Sequence, residues 1–587
     1  MVEPIGPEVY LAIANVAQRA MHKYKDKRHY KQQEKLAKLN SEILSWRTGS
    51  SISGSSLGDL FAQNGLELGD DGSVQWSVDN PALPRNWSKA RKGYDLGLLI
   101  FLNFFMSTMS NAGTPASSYA LKEFRICRTV GLLGFTTLYL IGLALGHLVF
   151  SPFSETFGRK RLYIASAFLF SVFCIPVAAT PHIAAVFICR FIAGFVSAIP
   201  RVTGSSSIRD LLGAESEGCS WVVFLSSLTA NLGIVAGPVF GSQVAAALNW
   251  RWIFYLAAII TSALGLLLFT TSESQYRLLL DRKIALLQSL RPDLELHSHP
   301  RPLEPDFHTF IQPLTLLSSE PIVYLTSLTS AFAFGLLYLL PVALPLIYAF
   351  SPITFTQQVS LLLFLFAALG LLLNILTRFY ERHVARRHHG TKRLFTPEKK
   401  LFGFVLAAPL LAVSLWWFAW TVPPLRAGVP WAASSTSLLL LGFAVGEFDI
   451  VLTQYLRDSY TSHSWGVGNS MTFLQALFGG VFPIFTTPLY TNMNHNLSTS
   501  ILAIIATIFC IIPVIFLMFG KKLRGMSKFA RESLGREELE AMEKVKEEKK
   551  RKSEEKREKR MEDNRAYAAA VASMGMDVEQ LAVYPIW

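Results

Sequence analysis

The stretch that decides the fold is Ser151-Pro-Phe-Ser-Glu-Thr-Phe-Gly-Arg-Lys-Arg161. It joins two hydrophobic runs, 130–150 and 162–180, each about as long as a membrane is thick. Gly158 permits a backbone conformation that other residues resist, and Glu155 lies close enough along the chain to pair with the cations that follow. Three cations favour the cytoplasmic side of a membrane: Arg159, Lys160 and Arg161. The stretch therefore predicts a cytoplasmic turn between two transmembrane helices, and a loop that only sets topology remains the simpler alternative.

Composition indicates a membrane protein. Of the 587 residues, 51% are hydrophobic and 17% are charged, whereas soluble domains carry about 25% charged residues. The net charge of +13 does not indicate nucleic-acid binding, because the basic residues cluster beside hydrophobic runs, where topology and anionic lipids explain them. The five cysteines have no disulfide or metal-ligand spacing. With no phosphate loop, metal cluster or nucleophile elbow in the tails or the linker, we expect no enzyme activity and no metal or cofactor.

Twelve apolar segments are long enough to cross a bilayer. They lie at 96–115, 130–150, 162–180, 183–206, 219–246, 251–271, 322–348, 357–377, 401–421, 432–454, 466–488 and 498–519. A polar stretch divides them six and six, so we predict an all-α membrane protein made of two six-helix halves. Its parts are an N-terminal arm at 1–93, a first half at 94–271, a central linker at 272–320, a second half at 321–520 and a charged tail at 521–587.

Lysine and arginine predict the orientation. The loops after spans 2 and 8 are strongly basic, whereas those after spans 7, 9 and 11 carry at most one arginine. We therefore expect the arm, the linker and the tail to be cytoplasmic. The first forty residues are polar and rich in lysine, so no signal peptide is predicted and span 1 serves as its own insertion signal. Within the arm, 48–73 is rich in Ser and Gly and predicts a flexible linker; the tail predicts a solvated charged helix.

Several motifs resemble those of one family. The order acid, aromatic, Gly, Arg, basic, basic at 155–161 resembles the loop between helices 2 and 3 of major facilitator superfamily transporters. Asp79-Asn-Pro-Ala-Leu-Pro-Arg-Asn-Trp87 resembles the segment before helix 1 of the fungal drug and polyamine exporters in that superfamily. Span 5 carries a motif similar to that of drug:proton antiporters, formed by Gly233, Gly237, Pro238 and Gly241. The glycines present a smooth ridge for close helix packing, which is also the alternative reading of the motif.

This resemblance implies a function. A fungal-like drug or polyamine:proton antiporter would export small drugs, toxins or polyamines by alternating access, with the proton gradient as its driving force and without a cofactor. We expect such a protein to be a monomer in the plasma membrane, in contact with lipids and a small-molecule substrate. A proton symporter that imports an organic anion or nutrient is an alternative, as is a transporter-like sensor that does not transport. The Glu155–Arg161 loop would hold the inward side closed, and the Gly-Pro helix would flex at the interface between the halves.

Two arginines lie within span 4. Arg190 matches the superfamily's Arg-xxx-Gly motif with Gly194, and the resemblance implicates it in proton coupling; pairing with neighbouring carbonyls is the structural alternative. Arg201 lies eleven residues later on the same helix face, where it either contacts a ligand or extends to water.

Acidic residues in span 10 are the most informative. Glu447, with Asp449 beside it, lies ~24 Å into the span at 1.5 Å per residue, at a depth comparable to that of Arg201 on the equivalent helix of the other half. We therefore hypothesise that Glu447 is a protonatable site balanced in one state by Arg201; an acid that only meets water at the cytoplasmic end is the alternative.

Further polar side chains are candidates for the substrate cavity. Tyr338, Asn103, Asn111 and Asn231 either line it or hold helices together. Gln475 occupies a span 11 position where many relatives carry Arg, which leaves the type of substrate open.

Overall fold

A computed structural model describes residues 64–68, 74–213, 216–290, 307–349, 356–388, 401–422, 430–527, 529 and 561. The chain divides into two units, 1–80 and 81–587. In the first unit, β1 (Leu66–Leu68) pairs antiparallel with β2 (Val74–Trp76), and the Asn80 side-chain amide donates to the Gly65 carbonyl at 2.8 Å. The prediction that 48–73 is a flexible linker is therefore wrong for Leu66–Leu68, which form β1. The charged helix predicted in the tail lies almost wholly outside the described residues.

Twelve helices in the described part of the second unit are long and apolar enough to cross a membrane. The first six are α1 (Lys89–Phe124), α2 (Arg128–Ser154), α3 (Arg159–Ala179), α4 (Ile183–Leu212), α5 (Glu217–Ala247) and α6 (Trp250–Leu268). The last six are α7 (Pro321–Tyr348), α8 (Gln357–His383), α9 (Phe402–Thr421), α10 (Trp431–Ser459), α11 (Ser464–Asn492) and α12 (His495–Gly520). The predicted twelve-helix fold is confirmed.

Helix packing repeats with an offset of six. In the first half α1 packs on α5, α2 on α4 and α3 on α6; in the second half α7 packs on α11, α8 on α10 and α9 on α12. Contacts between the halves follow the same symmetry, because α2 meets α11 and α5 meets α8. The two halves are therefore structural repeats related by a pseudo-twofold axis.

The described residues between the halves form two linker helices. The first linker helix is Tyr276–Leu290 and the second linker helix is Phe307–Ser319. The second linker helix packs on both halves: Phe310 lies 5.8 Å from Phe153 of α2, ring to ring, and the Pro313 carbonyl accepts a 2.6 Å hydrogen bond from Ser470 of α11. We call this end of the bundle, where α1 begins and α2 ends, the terminal face.

The glycines of the span 5 motif determine how α5 packs. A Cβ atom on Gly233 would lie 2.5 Å from the Phe104 carbonyl oxygen, and one on Gly237 would lie 2.4 Å from that of Thr108. Gly241 meets Ala112 and Pro115 in the same way. The ridge therefore faces α1 within the first half, while α5 also meets α8 of the second half. Flexing of this helix at the interface between the halves stays a prediction. Pro238 lies inside α5 and is also buried.

Replacing Gly237 with Ala tests this packing. The added methyl group would collide with α1 backbone, and overpacking of this kind costs about 1–3 kcal/mol, so we expect a clear fall in the unfolding temperature of the purified protein in detergent. Gly97→Ala, on α1 where a Cβ meets nothing within 4 Å, is the matched control and should leave that temperature unchanged. Equal behaviour of the two variants would show that the ridge does not set the α1–α5 distance.

Candidate functional site

A cavity of about 920 Å³ opens between the halves toward the terminal face. Its wall combines the last turns of α4, α8 and α10 with the first turns of α5. Basic residues on the wall are Arg201, Arg209, Arg378, Arg382 and Arg457; acidic ones are Glu217, Glu381, Asp449 and Asp458. Aromatic rings and small polar groups complete the wall, among them Trp221, Phe224, Asn103 and Ser205. Because both repeats contribute, a ligand here would contact both moving halves.

Asp449 lies where the cavity meets the contact between the halves. Its Oδ2 accepts a 3.0 Å hydrogen bond from Asn231 Nδ2 on α5, and its Oδ1 accepts a 3.1 Å bond from Gln475 Nε2 on α11. Gln475 also donates to Ser330 Oγ on α7 at 2.8 Å. A π-helical turn, Phe448–Leu452, carries Asp449; such turns change the direction of the side chains that follow. One carboxylate thus links both halves through neutral amides.

Glu447 has a different partner from the one predicted. Its carboxylate is fully buried and accepts hydrogen bonds from Arg378 at 3.2 Å and from the Thr377 hydroxyl, both on α8. Arg378 also pairs with Glu381 at 2.5 Å. The hypothesis that Glu447 balances Arg201 is therefore wrong for this conformation: the Arg201 side chain lies on the cavity wall with its guanidinium 5.2 Å from the Phe334 ring centre. Glu447 is instead part of an ion pair inside the second half.

Arg190 is enclosed in the first half and lies off the cavity wall. Its guanidinium donates to the Phe135 carbonyl at 2.6 and 2.9 Å and to the Met109 carbonyl at 3.3 Å. It also lies 4.4 Å from the Tyr139 ring centre. Phe135 belongs to a π-helical turn, Leu133–Thr137, where the usual helix bonding is interrupted. The structure gives Arg190 the structural role named as the alternative; proton coupling through it stays a prediction.

Two polar side chains near the middle of α1 hold the halves together. Ser110 and Tyr338 of α7 share a 2.7 Å hydrogen bond between their hydroxyl groups. Asn111 donates from Nδ2 to the carbonyls of Ile234 on α5 and Leu337 on α7, both at 3.1 Å. Tyr338 is fully buried and lies away from the cavity wall, whereas Asn103 is on it. Tyr338 and Asn111 thus hold helices together, which was the alternative to lining the cavity. Asn103 lies on the cavity wall.

The predicted gating loop is bound to its own half. Arg159 forms a 2.5 Å ion pair with Asp210 at the end of α4. The backbone amides of Arg159 and Lys160, at the start of α3, donate to the Glu273 carboxylate at 3.1 and 3.2 Å. The Lys160 ammonium donates to the carbonyls of Phe269 and Thr271 beyond α6. The loop therefore ties the ends of α3, α4 and α6 together.

Gly158, Arg161 and Glu155 belong to the same loop. Gly158 has φ +86°, and a Cβ there would lie 2.9 Å from the Glu273 carboxylate, so the turn depends on glycine at this position. Arg161 is exposed. Glu155 lies on the helical turn that extends α2, and its side chain is outside the described residues.

Sequence reasoning missed several functional partners. Arg378 begins the basic loop after span 8, which the sequence marks only for orientation, yet it pairs with Glu447. Glu273 and Asp210 follow apolar spans with no motif to mark them, and Arg457 has no motif either. The sequence does place opposite charges at the helix ends of the terminal face. Which of these charges pair depends on which helices are adjacent, and the sequence does not give that.

These observations define a transporter. Twelve spans in two repeats surround a polar cavity to which both repeats contribute, and residues 96–480 match the sequence profile of the Major Facilitator Superfamily. The chain belongs to that superfamily. It is an integral membrane protein that binds and moves small molecules, and it is not an enzyme.

Relatives and solved structures agree with this assignment. The MFS-type transporter paaT of Penicillium rubens is 28% identical over 78% of this chain and 83% of its own. The Major facilitator superfamily multidrug transporter FLU1 of Candida albicans is 28% identical over 77% of this chain and 75% of its own. The structure of the proton:xylose symporter XylE has a TM-score of 0.52 at 13% identity, covering 73% of this chain and 97% of that one, which supports the fold alone. The predicted resemblance to fungal drug exporters of this superfamily is confirmed.

The Glu447–Arg378 pair gives a testable asymmetry. Replacing Arg378 with Gln leaves a buried carboxylate without its cation, which costs about 3–5 kcal/mol, so the unfolding temperature should fall sharply. Glu447→Gln leaves Arg378 paired with Glu381 and should be milder. The double variant should recover most of the loss seen with Arg378→Gln alone. Additive losses in the double variant would mean that the two side chains do not depend on each other.

Proposed function

We propose that this protein is a proton-driven antiporter that exports small organic molecules by alternating access. The transporter class and its multidrug relatives support export of a foreign or toxic compound. The observation that carries the proton coupling is the position of Asp449: an acid on the cavity wall whose two oxygens are held by amides from opposite halves. The halves would rock about this contact as the cavity is exposed to one side and then the other.

Protonation of Asp449 changes what its partners must do. An ionised carboxylate only accepts hydrogen bonds, whereas a protonated one carries a hydroxyl group that donates. The carbonyl oxygens Oδ1 of Asn231 and Oε1 of Gln475 are buried and have no partner among the described residues. Rotation of either amide would offer one of them to the new hydroxyl group. The proton would therefore rearrange the bond between α10 and α5, and with it the contact between the halves.

Cationic side chains share the cavity wall with this acid. Arg201 of α4 and Arg457, about two helical turns further along α10, line the same cavity.

Orientation and environment follow from the sequence. We infer that the terminal face is cytoplasmic, because the loops after spans 2 and 8 are strongly basic, whereas those after spans 7, 9 and 11 carry at most one arginine. The cavity would then take its substrate from the cytoplasm. We further propose a monomer in the plasma membrane that needs no cofactor beyond the proton gradient.

The test uses the full-length protein in proteoliposomes with three dyes: rhodamine 6G as a cation, Nile red as a neutral compound and carboxyfluorescein as an anion. We expect an imposed pH gradient to drive accumulation of at least one dye. Asp449→Asn should lower that accumulation about tenfold or more, because the amide cannot carry a proton. Exchange of the dye without a gradient should continue.

Asp281→Asn is the control, since the same chemical change then occurs on the first linker helix, off the cavity wall. It should keep gradient-driven accumulation. Accumulation that persists in Asp449→Asn would rule out this acid as the coupling site, and accumulation driven in the opposite direction would favour the symporter alternative.

A further inference from the structure

Three arginines converge on one side of the cavity. On α4, intervals of four residues separate Arg201, Ser205 and Arg209. They therefore lie on one helix face, each about 6 Å along the helix axis from the next. Arg457 of α10 donates from its guanidinium to Ser205 Oγ at 3.2 Å. A Cβ on Gly468 of α11 would lie 3.7 Å from Arg457 Nε, so a small residue there leaves room for the arginine. Ser205 is thus the centre of a cluster of three cations, which we call the arginine cluster (Arg201, Arg209 and Arg457).

The other cavity arginines are already neutralised. Arg382 pairs with Glu217 at 2.6 Å, and Arg378 pairs with Glu381 and Glu447. In the part of the chain that the structure describes, no carboxylate forms an ion pair with a member of the arginine cluster. The nearby cavity acids are Asp449, whose oxygens are held by amides, and Asp458. Counted over the residues that line the cavity wall, five arginines face four carboxylates, which leaves one positive charge in excess.

Like charges held together in a partly buried cavity repel one another, and an anion between them relieves that repulsion. Guanidinium groups suit a carboxylate in particular, because their paired N–H groups match its two oxygens. The same cavity offers an apolar surface on α5, where Trp221 and Phe224 meet edge to face with ring centres 5.7 Å apart. A ligand that satisfies both surfaces has a negatively charged end and an aromatic or aliphatic body.

We propose that the substrate is an amphipathic organic monoanion, bound with its carboxylate at the arginine cluster and its apolar body toward Trp221 and Phe224. This assignment rests on the proposed transport function and narrows its substrate class.

The experiment measures equilibrium binding to the purified full-length protein by quenching of tryptophan fluorescence, at one pH and without a gradient. Three probes share a naphthalene ring: 2-naphthoate, 2-naphthamide and 2-naphthylmethylammonium. We expect 2-naphthoate to bind at least about tenfold more tightly than the amide, as a charge-assisted hydrogen bond implies, and the ammonium to bind most weakly. Arg201→Gln and Arg457→Gln should each remove this preference while binding of the amide is unchanged, which shows that the variants are folded.

Arg282→Gln is the matched control, because Arg282 is exposed on the first linker helix and its loss changes the net charge equally; it should keep the preference. The proposal is overturned if the three probes bind equally, if the ammonium binds most tightly, if none binds at millimolar concentration, or if the preference survives in both cavity variants. Since binding needs no gradient, such a failure leaves dye accumulation and its dependence on Asp449 as a separate result.

Discussion

A carboxylate within a membrane protein must find its hydrogen-bond donors inside the protein, and Asp449 finds them on both halves. Asn231 comes from α5 of the first repeat and Gln475 from α11 of the second. Leaving a buried polar group unpaired costs about twice the net value of one hydrogen bond, so these bonds favour one register of the two repeats wherever this acid is ionised. The relation between the halves, the cavity beside them and the coupling that we propose all depend on this requirement.

The fold could be predicted from the sequence because its main determinant is local. Length and apolarity define each span, and the charges of the turn at 155–161 mark its place between spans 2 and 3. The contacts of Glu447 could not be predicted, since depth along a helix does not say which neighbour a side chain faces. Arg201 lies at a comparable depth but on a helix of the other repeat, whereas Arg378 lies on α8, the packing partner of α10.

The arginines show the same limit in another way. Arg190 and Arg201 are on one helix, and both are costly in a membrane, yet one binds backbone carbonyls beside a π-helical turn and the other faces the cavity. A π-helical turn has no clear sequence pattern, so neither the carbonyl that receives Arg190 nor the position of Asp449 on its own such turn could be foreseen. The sequence marks Gln475 only as a departure from the family pattern, whereas its bond to Asp449 depends on how α10 and α11 pack.

The ties at the terminal face have a mechanical consequence. Arg159, Asp210 and Glu273 connect helix ends within the first half, whereas bridges between the halves there include single contacts such as Asn469 to Ser151 at 2.5 Å and Arg382 to Glu217. Helix ends of the first half are therefore tied to one another, and the bridges to the second half are separate contacts. Contacts of this kind are worth about 1 kcal/mol each, so breaking a single bridge costs little. A ligand that binds one orientation of the halves more tightly than another offsets a cost of this size.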